Sequence, residues 1–279
     1  MKEHFNTLKP LGSMNKSLMY SYREYMLVGG MPQAVYTYIT TKDFGETDFI
    51  KQNILNLYEN DIDNQNEENP TYVKNVLWHI PSELSKHDKK YNLAHIDSNA
   101  RLREYKGPIN WLNEAMIINI AENVNDPSAA FNLSTVDPAF KCYMMDTGLL
   151  VSLAYKNQDY LENELYRAIL FDKLHVNEGM IVENVTAQIL RSKGDIIYYY
   201  KKVDKEARQT IMEIDFLIRR NSKVIPIEVK SSSSYSISSL KKFKSTFSCK
   251  IGKQYVLHDG DIKKEDEIIY LPYYMACLL

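Results

Sequence analysis

The stretch from 211 to 232, IMEIDFLIRRNSKVIPIEVKSS, limits the fold more than any other part of the sequence. Two runs rich in Ile and Val flank the polar link RRNSK, which predicts two strands joined as a hairpin. Asp215 interrupts the first run, and Glu228 and Lys230 interrupt the second. Because unpaired buried charges are costly, a protein keeps them where they pair with each other or bind a metal ion. The hairpin would bring Asp215 beside Glu228, and the two-residue period of a strand places Glu228 and Lys230 on one face.

A third carboxylate lies in the stretch EGMIVENVTAQILRSKG, which predicts a helix that ends at Gly194. The helical neighbours of Glu183 on its own face are Met180, Ala187 and Leu190. A solvated Glu belongs on the polar face of a helix, whereas this one shares the apolar face. We therefore expect Glu183 to face the predicted sheet.

The remaining segments predict further helices and strands. Helix-forming residues dominate 14–60 apart from the break GGMP at 29–32, and the acidic, Asn-rich stretch 59–70 predicts a loop. Between 71 and 144, one helix (TYVKNVLWHI), a turn into a short second helix, and a third helix precede two strands. This order is typical of a winged helix; the alternative is a helical subdomain followed by a separate hairpin. From 178 onward the order is helix, three strands, helix, strand.

These patterns predict an α/β chain, α+β overall, in three parts. We expect a helical N-terminal arm over 1–60, a winged-helix-like domain over 61–135, and a larger α/β domain over 136–279. The 279 residues are 44% hydrophobic and 25% charged, as in an ordinary globular protein. The three Cys are far apart, which argues against a disulfide framework or a zinc site. No apolar run approaches the ~18 residues of a membrane span, so we expect a cytoplasmic protein without a membrane partner.

The set Glu...Asp...Glu-x-Lys on helix, strand and strand resembles the PD-(D/E)XK phosphodiesterase superfamily over roughly 136–279. The resemblance implies a restriction-endonuclease-like, three-layer α/β fold. It also implies a metal site in which Asp215, Glu228 and Glu183 hold Mg²⁺, with Mn²⁺ as a substitute. Such a cation lowers the pKa of bound water and stabilises charge on a phosphate. Lys230 would then position or deprotonate the attacking water.

The Glu-x-Lys pattern by itself carries no information, because Glu104-Tyr105-Lys106 matches it equally well. That second match falls in a predicted helix, where residues i and i+2 point about 200° apart. The match at Glu228 has strand flanks and an upstream Asp. The alternative to a metal site is an inactive fold in which Lys230 bridges Asp215 and Glu228 as an ion pair.

Local charge favours a phosphate-bearing partner. Between 219 and 253 there are nine Lys or Arg residues and one acid, although the whole chain has a net charge of -2. A basic stretch of this kind attracts a nucleic-acid backbone. The expected contacts are Lys241, Lys242 and Lys244 on the helix after the motif. By analogy with winged helices, the helix around 101–111 would contact DNA through Arg101 and Arg103; the alternative for the lysines is a solvated face.

Several stretches together resemble the C-terminal half of a group of bacterial and archaeal AAA-type ATPases. They are YREYMLVGGMPQAV, IPSELSKHDKKY, INWLNEAMIINI, FKCYMMDTGLL and the pair EIDFLI and IPIEVK. In that group an ATPase core precedes a winged helix and a PD-(D/E)XK-like domain of unknown function. The chain contains no G-x-x-x-x-G-K-[ST] run, so we do not expect it to bind or hydrolyse ATP.

The sequence thus leaves two functions open. The first is a DNA-associated, Mg²⁺-dependent nuclease. The second is an inactive module, derived from an ATPase C-terminal region, that binds nucleic acid or a protein such as an ATPase.

Overall fold

The chain divides into two compact units. Unit 1 comprises Met1–Met19, Ile120–Lys141 and Ile189–Leu279, and unit 2 comprises Tyr20–Asn119 and Cys142–Gln188. In this computed structural model, the residues described are 1–65, 70–127, 135–156, 166, 178–204, 206, 209–231, 235–248 and 250–279. The domain boundaries at 60 and 135 stay a prediction.

Helices and strands both occur in the described residues, which confirms the α+β class. The α-helices are α1 Lys2–Thr7, α2 Ser13–Val28, α3 Pro32–Thr41, α4 Phe44–Gln65, α5 Pro70–Leu84, α6 Leu102–Glu114, α7 Thr147–Tyr155, α8 Glu178–Ser192 and α9 Ser238–Phe247, with 3₁₀ turns at Leu93–His95 and Tyr273–Leu278. The strands are β1 Ile118–Val124, β2 Thr135–Met144, β3 Tyr198–Val203, β4 Thr210–Arg220, β5 Lys223–Val229, β6 Gln254–His258, β7 Lys263–Glu265 and β8 Ile268–Pro272. None of the described helices has the length and apolarity that a membrane span requires.

Among the described residues, eight strands form one mixed sheet in the order β2-β1-β3-β4-β5-β6-β8-β7. Strand β4 is antiparallel to β3 and β5, whereas β6 is parallel to β5 and β8. In a winged helix, β1 and β2 would form a separate hairpin. Here β1 pairs in parallel with β3, so the two strands extend the large sheet. Burial explains this pairing. Most residues of β1 are buried on both faces of the strand, and such a strand is stable inside a sheet that has packed elements on both faces.

Two helices are longer than the sequence predicts. Helix α4 continues into the stretch 59–70, where Ile62 is fully buried, so packing outweighs the loop-favouring composition. Helix α5 continues through Pro81 instead of turning there. Proline removes one hydrogen-bond donor, and the burial of Ile80 and Leu84 on either side offsets that loss.

The apolar core of unit 1 packs helix α9 against the sheet. Leu240 and Phe243 of α9 are fully buried and belong to one cluster with Tyr198 and Tyr200 of β3. Phe243 meets the ring of Tyr200 edge-on, with 5.3 Å between the ring centroids. Leu240 and Phe243 are three residues apart and therefore lie on one face of α9. Unit 1 therefore has a hydrophobic core between α9 and the sheet.

In unit 2 the GGMP turn and the MDTGLL stretch fit directly against each other. The backbone N–H of Gly30 donates to Asp146 Oδ2 at 2.6 Å, and Asp146 Oδ1 accepts from the N–H of Leu149 at the start of α7. Gly29 has a φ of 81°, a conformation that favours glycine. A Cβ on Gly148 would lie 2.4 Å from the carbonyl oxygen of Val28. These two glycine-containing stretches therefore have a structural role.

We expect Gly148→Ala to destabilise the protein by about 3 kcal/mol, because the new methyl group would collide with backbone atoms that cannot move independently. Gly107→Ala is the matched control. Gly107 lies inside α6 with open space around it, so alanine should stabilise the helix by about 0.5 to 1 kcal/mol. Urea denaturation followed by circular dichroism measures both changes. Equal effects of the two substitutions would contradict the close approach at Gly148.

Candidate functional site

The predicted hairpin of β4 and β5 is confirmed, since the two strands are antiparallel neighbours. Phe216 pairs with Ile227, and this register sets Asp215 opposite Glu228. The link RRNSK turns through Asn221, whose φ of 55° is left-handed. Asn tolerates this conformation better than most residues do. The short link therefore determines which carboxylates face each other.

Asp215 lies at an irregularity in the pairing of β3 with β4. Tyr198 pairs with Leu217. Two residues later Tyr200 pairs with Ile214, which is three residues earlier in β4. Strand β4 therefore has one additional residue here, as in a β-bulge, and bulges redirect side chains next to functional sites.

Two groups hold the carboxylate of Asp215. Its Oδ2 accepts a hydrogen bond of 2.9 Å from the backbone N–H of Val229. Its Oδ1 lies 3.8 Å from the ammonium nitrogen of Lys141, a side chain with only 1% of its surface exposed. The same ammonium lies 3.0 Å from Oε1 of Glu213 and 5.0 Å from the ring centroid of Tyr199. Lys141 thus lies between two carboxylates and an aromatic ring.

A second lysine neutralises Glu213, because Lys201 of β3 lies 3.2 Å from its other oxygen. Sequence reasoning missed Glu213, Lys141 and Lys201. The signal for Glu213 was available, since it stands two residues before Asp215 in the same strand. Lys141 is far away in sequence and gave no local signal. We call Lys141, Lys201, Glu213, Asp215, Glu228 and Lys230 the charged cluster.

Glu228 is the most deeply buried acid of the charged cluster, with 3% of its surface exposed. Its Oε2 lies 2.5 Å from the ammonium of Lys230. Its Oε1 is buried and has no hydrogen-bond partner among the described residues. Burial, and then the negative charge of Asp215, raise the pKa of Glu228 to about 8, although Lys230 and Lys141 oppose the shift. This oxygen is therefore able to accept a proton or a cation.

Hydrogen bonds to its own backbone N–H and carbonyl fix the position of Lys230. Its N–H donates to the carbonyl of Leu257 at 2.9 Å, and its own carbonyl accepts from the hydroxyl of Tyr273 at 2.6 Å. The side chain of Lys230 is 21% exposed, in contrast to the 4% of Glu228. The ammonium can therefore reach solvent while it stays beside the carboxylate. Tyr198 and Tyr200 belong to the apolar cluster described above.

The residues of this site fit one magnesium ion. Among the described residues, no group of three or more His, Cys, Asp or Glu side chains is arranged to hold a metal. Magnesium, however, is usually held by one or two carboxylates together with substrate phosphates and water. Asp215 and Glu228 stand opposite each other, and within the described part of the chain Glu228 Oε1 has no hydrogen-bond partner. Two carboxylates of this kind suit a single cation that also binds a phosphate.

Glu183 belongs to unit 2, and it is buried as its helical position predicts, with 6% of its surface exposed. Its Oε1 accepts a short hydrogen bond from the ammonium of Lys89. Its Oε2 accepts a hydrogen bond of 3.4 Å from the hydroxyl of Tyr143. Its role as a metal ligand stays a prediction.

Acids lie close to two of the three predicted nucleic-acid-binding lysines. Lys244 of α9 pairs with Glu267, and Lys241 lies 4.0 Å from Asp266. Lys242 is exposed. Neighbouring carboxylates weaken the field of the first two lysines, so Lys242 remains the strongest candidate of the three for a phosphate contact.

The two arginines of the predicted DNA-contacting helix are both exposed. Arg101 is the N-terminal cap of α6, and Arg103 lies 3.9 Å from Glu104. The contact of Arg101 and Arg103 with nucleic acid stays a prediction.

Comparison with known families gives two matches. A family model described as a domain of unknown function, DUF8612, matches residues 19–160, half of the chain. The chain belongs to the DUF8612 family. A second domain of unknown function, DUF4143, matches residues 178–275 and includes β4 and β5. Lys141 lies inside the DUF8612 region, whereas the other members of the charged cluster lie inside the DUF4143 region.

The DUF4143 domain is found in C-terminal regions associated with AAA-type ATPases, in agreement with the resemblance described above. No curated protein and no solved structure matches the chain.

We expect the stability of the wild type to fall relative to that of Glu228→Gln as the pH rises. The pKa of Glu228 is raised from 4.5 to about 8, so folding favours the protonated form. The stability that protonated Glu228 contributes to the folded state is fully present below about pH 4.5 and is lost as the pH rises toward about 8. Gln cannot ionise, so the difference in unfolding free energy should move in favour of the variant by about 2 to 4 kcal/mol between about pH 5 and pH 9.

Urea denaturation at the two pH values measures this difference. Glu46→Gln, which replaces an exposed carboxylate in the first turn of α4, is the control for the loss of one carboxylate. A difference between wild type and Glu228→Gln that stays constant with pH would contradict the raised pKa.

Proposed function

We propose that this chain is a DNA-associated protein that cleaves phosphodiester bonds with the help of one Mg²⁺ or Mn²⁺ ion. The observation that carries the proposal is the buried Oε1 of Glu228, which has no hydrogen-bond partner among the residues that the structure describes. Glu228 stands opposite Asp215 and beside the ammonium of Lys230. When bound, the cation supplies an activated water and stabilises charge on the phosphate.

Each residue of the site then has a distinct role. Asp215 and Glu228 hold the cation, and the N–H of Val229 keeps the carboxylate of Asp215 in a fixed orientation. Lys230 orients or deprotonates the attacking water, because its ammonium is fixed beside Glu228 and still reaches solvent. Glu183, which lies in unit 2, is the third acidic residue that the resemblance to the PD-(D/E)XK superfamily implies.

The finer family assignment belongs to the same proposal. The DUF4143 match supports an ATPase C-terminal region, for which the resemblance implies a winged helix and a PD-(D/E)XK-like fold. In this proposal α6 contacts DNA through Arg101 and Arg103, and a cytoplasmic ATPase is a natural protein partner.

We expect Asp215→Asn to lower metal-dependent DNA cleavage by at least about 100-fold, because it removes one of two anionic ligands. Fluorescently labelled linear and branched DNA, with Mg²⁺ or Mn²⁺ added, measures the activity. Asp259→Asn is the matched control, since Asp259 is exposed in the same unit and lies outside the charged cluster. Equal cleavage by wild type and Asp215→Asn would disprove the assignment of Asp215.

A second function, a non-catalytic binding module, is favoured by one observation. The three carboxylates of the charged cluster all have lysine partners within the protein itself. In that case wild type cleaves no DNA, and Asp215→Asn mainly lowers the melting temperature because the buried Lys141 loses a partner.

DNA binding is expected to depend on Lys242 more than on Lys244, because Glu267 already neutralises Lys244. Lys242→Ala should weaken binding to double-stranded DNA about threefold at low salt, with a smaller effect for Lys244→Ala. Fluorescence anisotropy measures both affinities. If the two variants bind equally well, α9 does not contact the backbone through Lys242.

A further inference from the structure

Lys141 occupies the kind of position that a metal ion takes in other acidic sites. Its ammonium lies 3.0 Å from a Glu213 oxygen and 3.8 Å from an Asp215 oxygen. The ring of Tyr199 is 5.0 Å away, at a distance typical of a cation–π contact. Only 1% of the lysine side chain is exposed. The buried ammonium of Lys141 thus lies between the carboxylates of Glu213 and Asp215, which are two residues apart in β4.

The charge of this ammonium has a direct effect on any metal nearby. Asp215 is close to both the lysine and the expected metal. One of its oxygens faces Lys141, and the residue stands opposite Glu228, whose Oε1 has no hydrogen-bond partner among the described residues. A divalent cation bound by Asp215 and Glu228 would lie next to the ammonium. A second divalent cation cannot bind the Glu213 and Asp215 oxygens while Lys141 stays beside them, because like charges repel strongly at such distances.

We propose that Lys141 is a built-in cation that occupies a second metal position, between Glu213 and Asp215, and so limits the site to one divalent ion. The inference rests on the proposed function for the first position, formed by Asp215 and Glu228. Lys141 is a positioning and specificity-determining residue here, which acts on the acids that bind the cation.

Replacing Lys141 with Met tests the proposal, because Met carries no charge and its side chain ends one atom short of the position of the ammonium. The number of bound Mn²⁺ ions per chain is measured by isothermal titration and by electron paramagnetic resonance of free Mn²⁺. We expect Lys141→Met to bind one ion more than the wild type. Lys141→Met combined with Glu213→Gln should bind the same number as the wild type, since the second position then lacks one carboxylate.

Lys201→Met is the matched control. Lys201 also pairs with Glu213, at 3.2 Å, and its side chain is 10% exposed, so the variant removes the same charge from the same acid. It leaves Lys141 between Glu213 and Asp215, and it should bind as many ions as the wild type. An equal gain in Lys201→Met would show a general charge effect and overturn the proposal.

Thermal melting covers the case in which Lys141→Met folds poorly. Without metal, the variant loses a buried partner for two acids and should melt below the wild type. Added Mn²⁺ should raise its melting temperature by several degrees more than that of the wild type, because the ion replaces the ammonium. Failure to recover with Mn²⁺, or an unchanged number of ions, would mean that Lys141 has a structural role only.

The result separates this inference from the proposed function. The number of ions bound by the wild type tests the site of Asp215 and Glu228, whereas the difference between wild type and Lys141→Met tests the second position. If the wild type binds no Mn²⁺ and Lys141→Met binds one ion, the proposed site of Asp215 and Glu228 is rejected and the second metal position is supported.

Discussion

Burial of carboxylates in a sheet is the constraint on which unit 1 depends. Glu213, Asp215 and Glu228 occupy adjacent strands, and an ionised acid in such a place is costly unless a cation lies beside it. The compensating lysines come from β2, from β3 and from the residue directly after β5. The position of β2 within the sheet therefore has an electrostatic purpose as well as a hydrophobic one, since it supplies the ammonium of Lys141.

The three carboxylates are neutralised unevenly by their lysine and N–H partners, and this asymmetry determines the chemistry of the site. Glu213 has lysines beside both oxygens, and Asp215 is held by a lysine and a backbone N–H. Glu228 has an ammonium beside one oxygen, and its other, buried oxygen has no hydrogen-bond partner in the described ranges. Burial, and then the negative charge of Asp215, raise the pKa of this acid. Perturbed groups of this kind occur often at functional sites.

Local periodicity explains what could be predicted. The hairpin of β4 and β5 follows from two apolar runs and a short link, and this link brings Asp215 opposite Glu228. The burial of Glu183 follows from the 3.6-residue period of α8 in the same way. The end of α5 was misjudged, because the burial of Ile80 and Leu84 outweighs the presence of Pro81, and burial depends on distant contacts.

The sequence by itself determined the α+β class, the hairpin and the facing pair of Asp215 and Glu228, because each depends on neighbours within about twenty residues along the chain. Only the tertiary structure decided that Lys141 stands between Glu213 and Asp215, and that β1 and β2 join the large sheet. Lys141 precedes Glu213 by many residues, and no repeating pattern links them. Their contact results from the order of strands in the sheet, which is set by the burial of whole strands.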